Sequence, residues 1–382
     1  VVSQTLYALS DLHLQAPIEP FLFTEAKEAI FVRVAAEAHD TGARLLIGGD
    51  AFDLTGMTPP PNGLGAFFEV LGLTLPARPT HRGVAAQLAA LEQAFPALFE
   101  SLRPLAAKRR LHFIAGNHDC AIASEAGRTA LGSALGVAPS DVSVSRTFRH
   151  EDILFACHGN EFDESNSTEQ GCLNPGAVMA AALYHAVIPA LDQLGFEQVA
   201  HAVPAVRPEE NIVLGLEHFL GADRAAAMLR ALVALLLANG YFNRWSRAQA
   251  WLTIHALPWL VSTARVRKVL ADDTDLKAVV RDRAIDILNG RGVSPSAGPA
   301  PTTVVMGHTH ELDATGRYVN LGTWIDHVRG LAPADIVCVE RALPVLVATG
   351  SSASLHDCQG LNGAVTDAPL LWTRDPDRGP AV

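Results

Sequence analysis

Cysteine, positive charge and long apolar runs are all scarce in this chain. Its 382 residues carry five cysteines (Cys120, Cys157, Cys172, Cys338, Cys358), an odd and scattered set. That pattern excludes a secreted disulfide scaffold and favours a reducing compartment, with the cytoplasm as the expected location. Lys and Arg number 29 against 40 Asp and Glu, a net charge of −11. General nucleic-acid binders show a basic surplus, so nucleic acid is not the expected partner. No apolar run reaches the ~18–20 residues that cross a bilayer, because Asn, Arg or Pro interrupts each one. The first residues, Val-Val-Ser-Gln-Thr-Leu, lack the basic region and apolar core of a signal peptide. The sequence starts at Val1, so a removed leader stays open. Disorder is excluded as the main state, since only 18% of residues are charged and 49% are hydrophobic.

What is present is a regular alternation. Thr5 to Ser10 reads as a buried strand ending in Asp11-Leu12-His13. Residues 23–40 are helical in composition and Gly42 suits the C-terminal cap. Arg44 to Ile47 is a strand running into Gly48-Gly49-Asp50. A Pro- and Gly-rich loop over 56–83 and a helix over 84–108 follow. Leu111 to Ala115 then enters Gly116-Asn117-His118-Asp119, and residues 152–157 end at His158. Strand–helix repetition of this kind implies an α/β sheet covered by helices, with ligand groups where strands hand over to loops.

From about 165 to 290 the pattern is almost wholly helical, with Ala- and Leu-rich segments at 176–194, 211–238 and 246–270. After a Gly/Pro/Ser break at 290–301, strands return. Thr302 to Met306 leads into Gly307-His308-Thr309-His310, followed by strands over 317–321, 335–339 and 344–348. The expected division is a core at 1–160 and 301–350, a helical insert at 161–300 and an extended tail at 351–382.

The strand ends collect the chemistry. Asp11, His13, Asp50, Asn117, His158, His308 and His310 are hard or borderline donors. Carboxylate mixed with imidazole suits Zn, Mn or Fe, and the lack of thiolate argues against a structural zinc site. If seven donors are to hold two cations and leave a position open, one carboxylate must bridge. Asp50, on a glycine-flanked turn, is the natural bridge. Two metals ~3.5–4 Å apart lower the pKa of a bridging water toward ~7 and neutralise charge on a phosphate under in-line attack.

These blocks, in this order, resemble the calcineurin-like metallophosphoesterase family over roughly residues 5–160 and 302–348. The motif pattern is most similar to the UDP-2,3-diacylglucosamine pyrophosphohydrolase branch, with a much longer helical insert. Ser10-Asp11-Leu12-His13-Leu14, Gly49-Asp50-Ala51-Phe52-Asp53, and Gly307-His308-Thr309-His310 followed by Tyr318 to Trp324 carry that likeness. The resemblance implies a four-layered α/β/β/α metallophosphoesterase sandwich with an inserted all-helical cap. It implies that Asp11, His13, Asp50 and His310 hold one metal, and Asp50, Asn117, His158 and His308 the other. His118 would steady the phosphate or protonate the leaving group, and Asp119 would orient His118. Asp53 either caps a turn or stands behind the site, and Asn160, Glu161 and Asp163 are candidates for a substrate or metal-shell role.

The expected reaction is hydrolysis of a phosphodiester or pyrophosphate by a metal-bridging hydroxide, with two Mn, Zn or Fe ions as cofactors. The expected partner is a small phosphoester bearing an apolar, lipid-like group. A soluble nucleotide or phosphomonoester phosphatase is the alternative, and a non-catalytic scaffold on the same fold the alternative of another class. Residues 224–270 hold seven basic residues, no acidic ones, and Trp245, Trp251 and Trp259. Such a stretch suits an acyl chain or peripheral contact with an anionic membrane; the plain packing helices of a bundle and a protein-contact or dimerisation surface are the other readings.

Overall fold

The strand segments read as apolar without a gap because both of their faces are covered. The computed structural model describes residues 4–16, 22–54, 60–76, 83–151, 153–169, 171–206, 210–241, 275–291, 300–328, 330–331, 338–339, 341–350 and 352–374. In chain order, β1 (Leu6–Leu9), α1 (Glu25–Asp40), β2 (Arg44–Ile47), α2 (Leu64–Val70), α3 (Val84–Ala94) and α4 (Pro96–Ala107) come first. Next are β3 (Leu111–Ile114), α5 (Glu125–Leu135), β4 (Ser143–Ser145), β5 (Thr147–His150) and β6 (Leu154–Cys157). The helical segment holds α6 (Pro175–Ala182), α7 (Ile188–Gln193), α8 (Glu197–Ala202) and α9 (Glu210–Ala238), and α10 (Leu276–Leu288) follows. The chain returns as β7 (Thr303–Met306), β8 (Leu312–Thr315), β9 (Tyr318–Leu321), β10 (His327–Val328) and β11 (Cys338–Val339). It closes with β12 (Pro344–Thr349), β13 (Ser352–Asp357) and β14 (Leu370–Arg374).

The fold is mixed α/β. A seven-stranded sheet has the order β14-β13-β12-β1-β2-β3-β4 and a five-stranded sheet the order β5-β6-β7-β9-β8. β1 to β4 run parallel, as do β6, β7 and β9. Period-two alternation fixes the central strands between two apolar layers. Leu6 and Ala8 of β1, Leu46 of β2 and Leu346 of β12 face Leu154, Ala156, Val305 and Val319 of the other sheet. The alternate residues, Tyr7, Leu9, Leu45, Ile47 and Phe113, meet α1, α4 and α5 instead. On the outer face of the second sheet, Phe155, Val304, Met306 and Tyr318 pack against Val280, Ala284 and Ile287 of α10.

Several expectations are corrected. The helix over 84–108 is two helices, because Phe95 leaves helical geometry and Pro96, which has no N–H to give, starts the second. The tail at 351–382 is not extended through residues 352–374: β13 and β14 add two antiparallel strands to the large sheet. Within the span expected for the helical insert, α10 packs on the second sheet. The cysteines are not all reduced, as Cys120 and Cys172 form a disulfide across a separation of 52 residues, while Cys157 and Cys358 are free and buried.

α6, a π-helical turn at Leu183–Val187 and α7 form one continuous helical stretch. Contrary to the reading of the apolar runs, Pro175–Gln193 is apolar and long enough to cross a bilayer by length and composition alone. Here it packs instead: Ala182, Ala186, Val187, Ala190 and Leu191 are buried in the same apolar cluster as α1 and α4. α9 breaks at Gly221, whose φ is 72°, and its Leu229, Leu232, Leu235 and Leu236 are buried. The leucines of α9 therefore line a closed core. Trp245, Trp251 and Trp259, with most of 224–270, lie outside the described residues.

Candidate metal centre

Because β1, β2 and β3 run parallel, and β6 and β7 likewise, their C-terminal ends open toward one edge of the two sheets. Asp11 and His13 follow β1, Asp50 follows β2, Asn117 and His118 follow β3, His158 follows β6, and His308 and His310 follow β7. Backbone bonds lock the loops together: Asp11 N–H donates to the Gly49 carbonyl, His13 N–H to that of Asp50, and Gly307 N–H to that of His158.

The local backbone is strained. Asp11, His13, Asp50, His308 and His310 have φ of 56°, 45°, 48°, 66° and 55°. Among described non-glycine residues, only Arg109 and Glu151 share that region. Such conformations cost about 1–3 kcal/mol each and persist where the surroundings impose them. The neighbouring glycines make room for the side chains themselves. A Cβ on Gly116 would lie 2.1 Å from Asp50 Oδ1, one on Gly307 2.2 Å from Asp11 Oδ2, and one on Gly49 2.3 Å from His158 Nδ1.

The donors converge in overlapping groups: Asp11, His13 and His310; His13, Asp50 and His118; Asp50, His158 and His308. His13 Nε2 is 2.9 Å from His310 Nε2, and His310 Nε2 is 3.3 Å from Asp11 Oδ1. His13 Nε2 lies 3.8 Å from Asp11 Oδ1 and 3.9 Å from Asp50 Oδ2, and His158 Nε2 lies 3.0 Å from Asp50 Oδ2. Asp11, His13, Asp50 and His158 are buried. Burial pushes the Asp11 and Asp50 carboxyls up, but the imidazoles around them, His158 foremost, hold both well below the usual range. For His158 burial acts downward, and Asp50 and Asp11 outweigh it to bring the ring to about 10.

This donor set fits a pair of divalent or trivalent cations. Nitrogen and oxygen ligands ~2.0–2.2 Å from one ion stand about 3–3.5 Å apart, close to the separations here. Asn117 Oδ1 is closed off from solvent and has no hydrogen-bond partner among the described residues, whereas its Nδ2 donates to Asn166 Oδ1 at 3.4 Å. A cation would satisfy such an orphaned buried acceptor.

The structure separates His118 from Asp119. Asp119 is fully buried, and its two oxygens accept from the N–H groups of Gly116 (2.7 Å), Ala51 (2.8 Å) and Phe52 (3.4 Å). Burial and the nearby Asp50 charge raise its carboxyl to about 7 against those N–H groups. It braces the loops and does not orient His118, which corrects the role implied for it. A carboxylate that does lie beside the ring is Asp53, with Oδ1 3.4 Å from His118 Nδ1. Asp53 Oδ2 in turn accepts from Gln15 Nε2 at 2.5 Å and Tyr184 Oη at 3.3 Å.

Of the polar residues after His158, Asp163 reaches the site, with Oδ2 2.9 Å from His308 Nε2. Its carboxyl is held below the usual range because His308, Asn166 and the Ser165 N–H outweigh burial. Glu161 Oε2 accepts from the Gly159 N–H, and Asn160 Nδ2 donates to the Asn166 carbonyl, so both shape the loop. Gln15, Asn166 and Tyr184 had no signal in the sequence, for only the fold brings them near the donors. The ring of His327, which matches no ligand block, lies 5.8 Å from that of His310, tilted by 35°.

No protein-family model matches the chain, and no curated protein matches it. Among solved structures it is similar to a cold-active protein-tyrosine phosphatase of a psychrophilic Shewanella species, at 10% identity over 95% of this chain and 80% of that one, with a TM-score of 0.25. A mutant of a cold-active protein tyrosine phosphatase gives 11% identity, the same coverage of 95% and 80%, and a TM-score of 0.27. Likeness at that level carries no argument, so function rests on the site.

Proposed function

We propose that this chain is a dinuclear metal-dependent phosphoesterase on a four-layered α/β/β/α sandwich of the calcineurin-like metallophosphoesterase kind, with a helical cap. One observation carries the reading: six of the seven donors, Asp11, His13, Asp50, His158, His308 and His310, come together with His118 at one sheet edge, most of them on a strained backbone. Asp11, His13, Asp50 and His310 would hold one ion, and Asp50, Asn117, His158 and His308 the other. Mn, Zn and Fe all suit this set. When bound, such a pair supplies a water ionised near neutral pH and neutralises charge on the phosphate.

The remaining chemistry belongs to the chain. Asp53, beside Nδ1 of His118, favours a proton on that nitrogen and turns Nε2 outward. In its imidazolium form, with the second proton on Nε2, His118 would steady a phosphate oxygen through Nε2–H or give that proton to the leaving oxygen. Asp119 keeps the Gly116 and Asp50 turns in register. For the substrate we propose a phosphodiester or pyrophosphate bound beneath the cap, with an apolar group if residues 242–274 provide its seat. The buried leucines of α9 favour the second reading, a soluble nucleotide or phosphomonoester, because they offer no surface to an acyl chain. A non-catalytic scaffold needs a lost ligand, and none of the seven is missing.

The test is hydrolysis by protein reconstituted with Mn, Zn or Fe, offered a chromogenic monoester, a chromogenic diester, nucleotides and a nucleotide-linked lipid. Turnover of at least one is expected. No turnover of any under all three metals would sink the proposal.

A further inference from the structure

Beyond His158 the chain does not leave directly for the helical segment. It makes a 3₁₀ turn at Asn160–Phe162 and folds Asp163 back beneath His308. Asp163 is 6% exposed and held from several sides. Its Oδ2 also accepts from Asn166 Nδ2 at 2.7 Å, and its Oδ1 from the Ser165 N–H at 2.9 Å. Asn166 is pinned as firmly, since its carbonyl accepts from Asn160 Nδ2 at 3.0 Å and Asn174 Nδ2 at 3.1 Å. Its Oδ1 faces Asn117 Nδ2 at 3.4 Å, and a Cβ on Gly176 would lie 1.9 Å from that same oxygen.

We infer that residues 160–169 and 171–174 form a strap in which Asp163 positions His308 and Asn166 positions Asn117, thereby setting the affinity of one metal site and not the other. The inference rests on the dinuclear reading above and adds two residues outside its ligand blocks. Each of the two donors has an ambiguity to resolve. A neutral imidazole offers a lone pair from only one nitrogen, and a carboxylate at Nε2 keeps the proton there, leaving Nδ1 to coordinate. A carboxamide presents either oxygen or nitrogen. An acceptor at Nδ2 turns Oδ1 inward, where Asn117 Oδ1 lies buried without a hydrogen-bond partner among the described residues. Asp163 itself stands outside the groups of imidazole and carboxylate donors that approach within 4.8 Å of one another, so it acts through His308. Both strapped residues belong to the proposed site of Asp50 and His158.

The test is equilibrium dialysis of the full chain against buffered Mn²⁺, with bound metal counted by mass spectrometry and folding checked by circular dichroism. Wild type should bind two ions and His308→Ala one. Asp163→Ala should keep the first ion unchanged and weaken the second ~10–100-fold, the range for partners behind a metal ligand. Asn166→Ala should weaken the same ion, and Asp163→Asn, which still accepts from Nε2–H, should fall between wild type and Asp163→Ala. Two ions bound with wild-type affinity in both Asp163→Ala and Asn166→Ala would overturn the strap. So would Asp163→Asn as depleted as His308→Ala, which would make Asp163 a ligand. Should Asp163→Ala fail to fold, Asp163→Asn and Asn166→Ala decide the matter, and unchanged binding in both overturns it. A wild type that binds no metal would instead defeat the dinuclear reading itself.

Discussion

Asp50 concentrates the argument at the scale of single residues. It belongs to two of the three donor groups, its Oδ1 accepts from the His118 N–H at 2.8 Å, and its backbone sits at φ 48°. Asp50→Ala should lose both ions and all measurable turnover. His118→Ala should keep both ions while turnover falls ~10²–10⁴-fold, the usual share of one acid–base group. Metal loss in His118→Ala would refute its role. Strain gives a second prediction. Asp50→Gly and Asp50→Ala remove the same carboxylate, but only glycine takes φ 48° freely, so Asp50→Gly should be the more stable by about 1 kcal/mol in chelator-treated protein. Urea unfolding checks the sign. The seven donors were legible because each stands in a short block at a strand end. The partner of His118 was not: Asp119 adjoins it in sequence, yet the turn sends that carboxylate into the backbone, and Asp53 arrives from another loop.

At the scale of elements, β2 was legible to the residue, since Arg44 to Ile47 is bounded by turn glycines and buried on both faces. β4, β5, β8, β13 and β14 were not, being short and half-polar, with identities set by the strands beside them. Helix α10 was absorbed into the insert because its apolar stripe of Val280, Ala284 and Ile287 does not say which surface it will cover. The Cys120–Cys172 bond ties the turn after Asp119 to the strap, across a separation of 52 residues. In the chain-entropy account a loop of that size contributes up to about 4 kcal/mol. Cys120→Ser with Cys172→Ser should therefore lower the unfolding free energy, and unreduced peptide mapping should recover the linked pair. Free alkylation of both sulfurs in native protein would contradict the tether.

At the scale of the molecule, the α/β class followed from strand–helix alternation, and the reach of the large sheet did not. Residues 352–374 lack periodicity and become strands only because β12 offers them an edge. One half-buried group reports on the integrity of that sheet. His112, on β3, lies between Ser143 and Ser145 Oγ at 2.6 and 2.7 Å, and burial, with the charge of Arg44, holds its ring down to about 4. The unfolded chain takes up this proton at ~6.5, so the stability His112 confers is full above that pH and is lost as pH falls toward about 4. Because the ring is partly exposed, the loss is of order 2 kcal/mol. Urea unfolding at pH 7 and pH 4.5 should show a smaller drop for His112→Gln than for wild type, and equal drops would exclude this contribution.

The central claim is two metal ions on seven donors, and the most direct measurement is the metal content of the reconstituted chain beside Asp50→Ala. The account predicts two ions per wild-type chain and none retained by Asp50→Ala at the same free metal concentration. Wild type holding no metal, or Asp50→Ala holding as much as wild type, would contradict it.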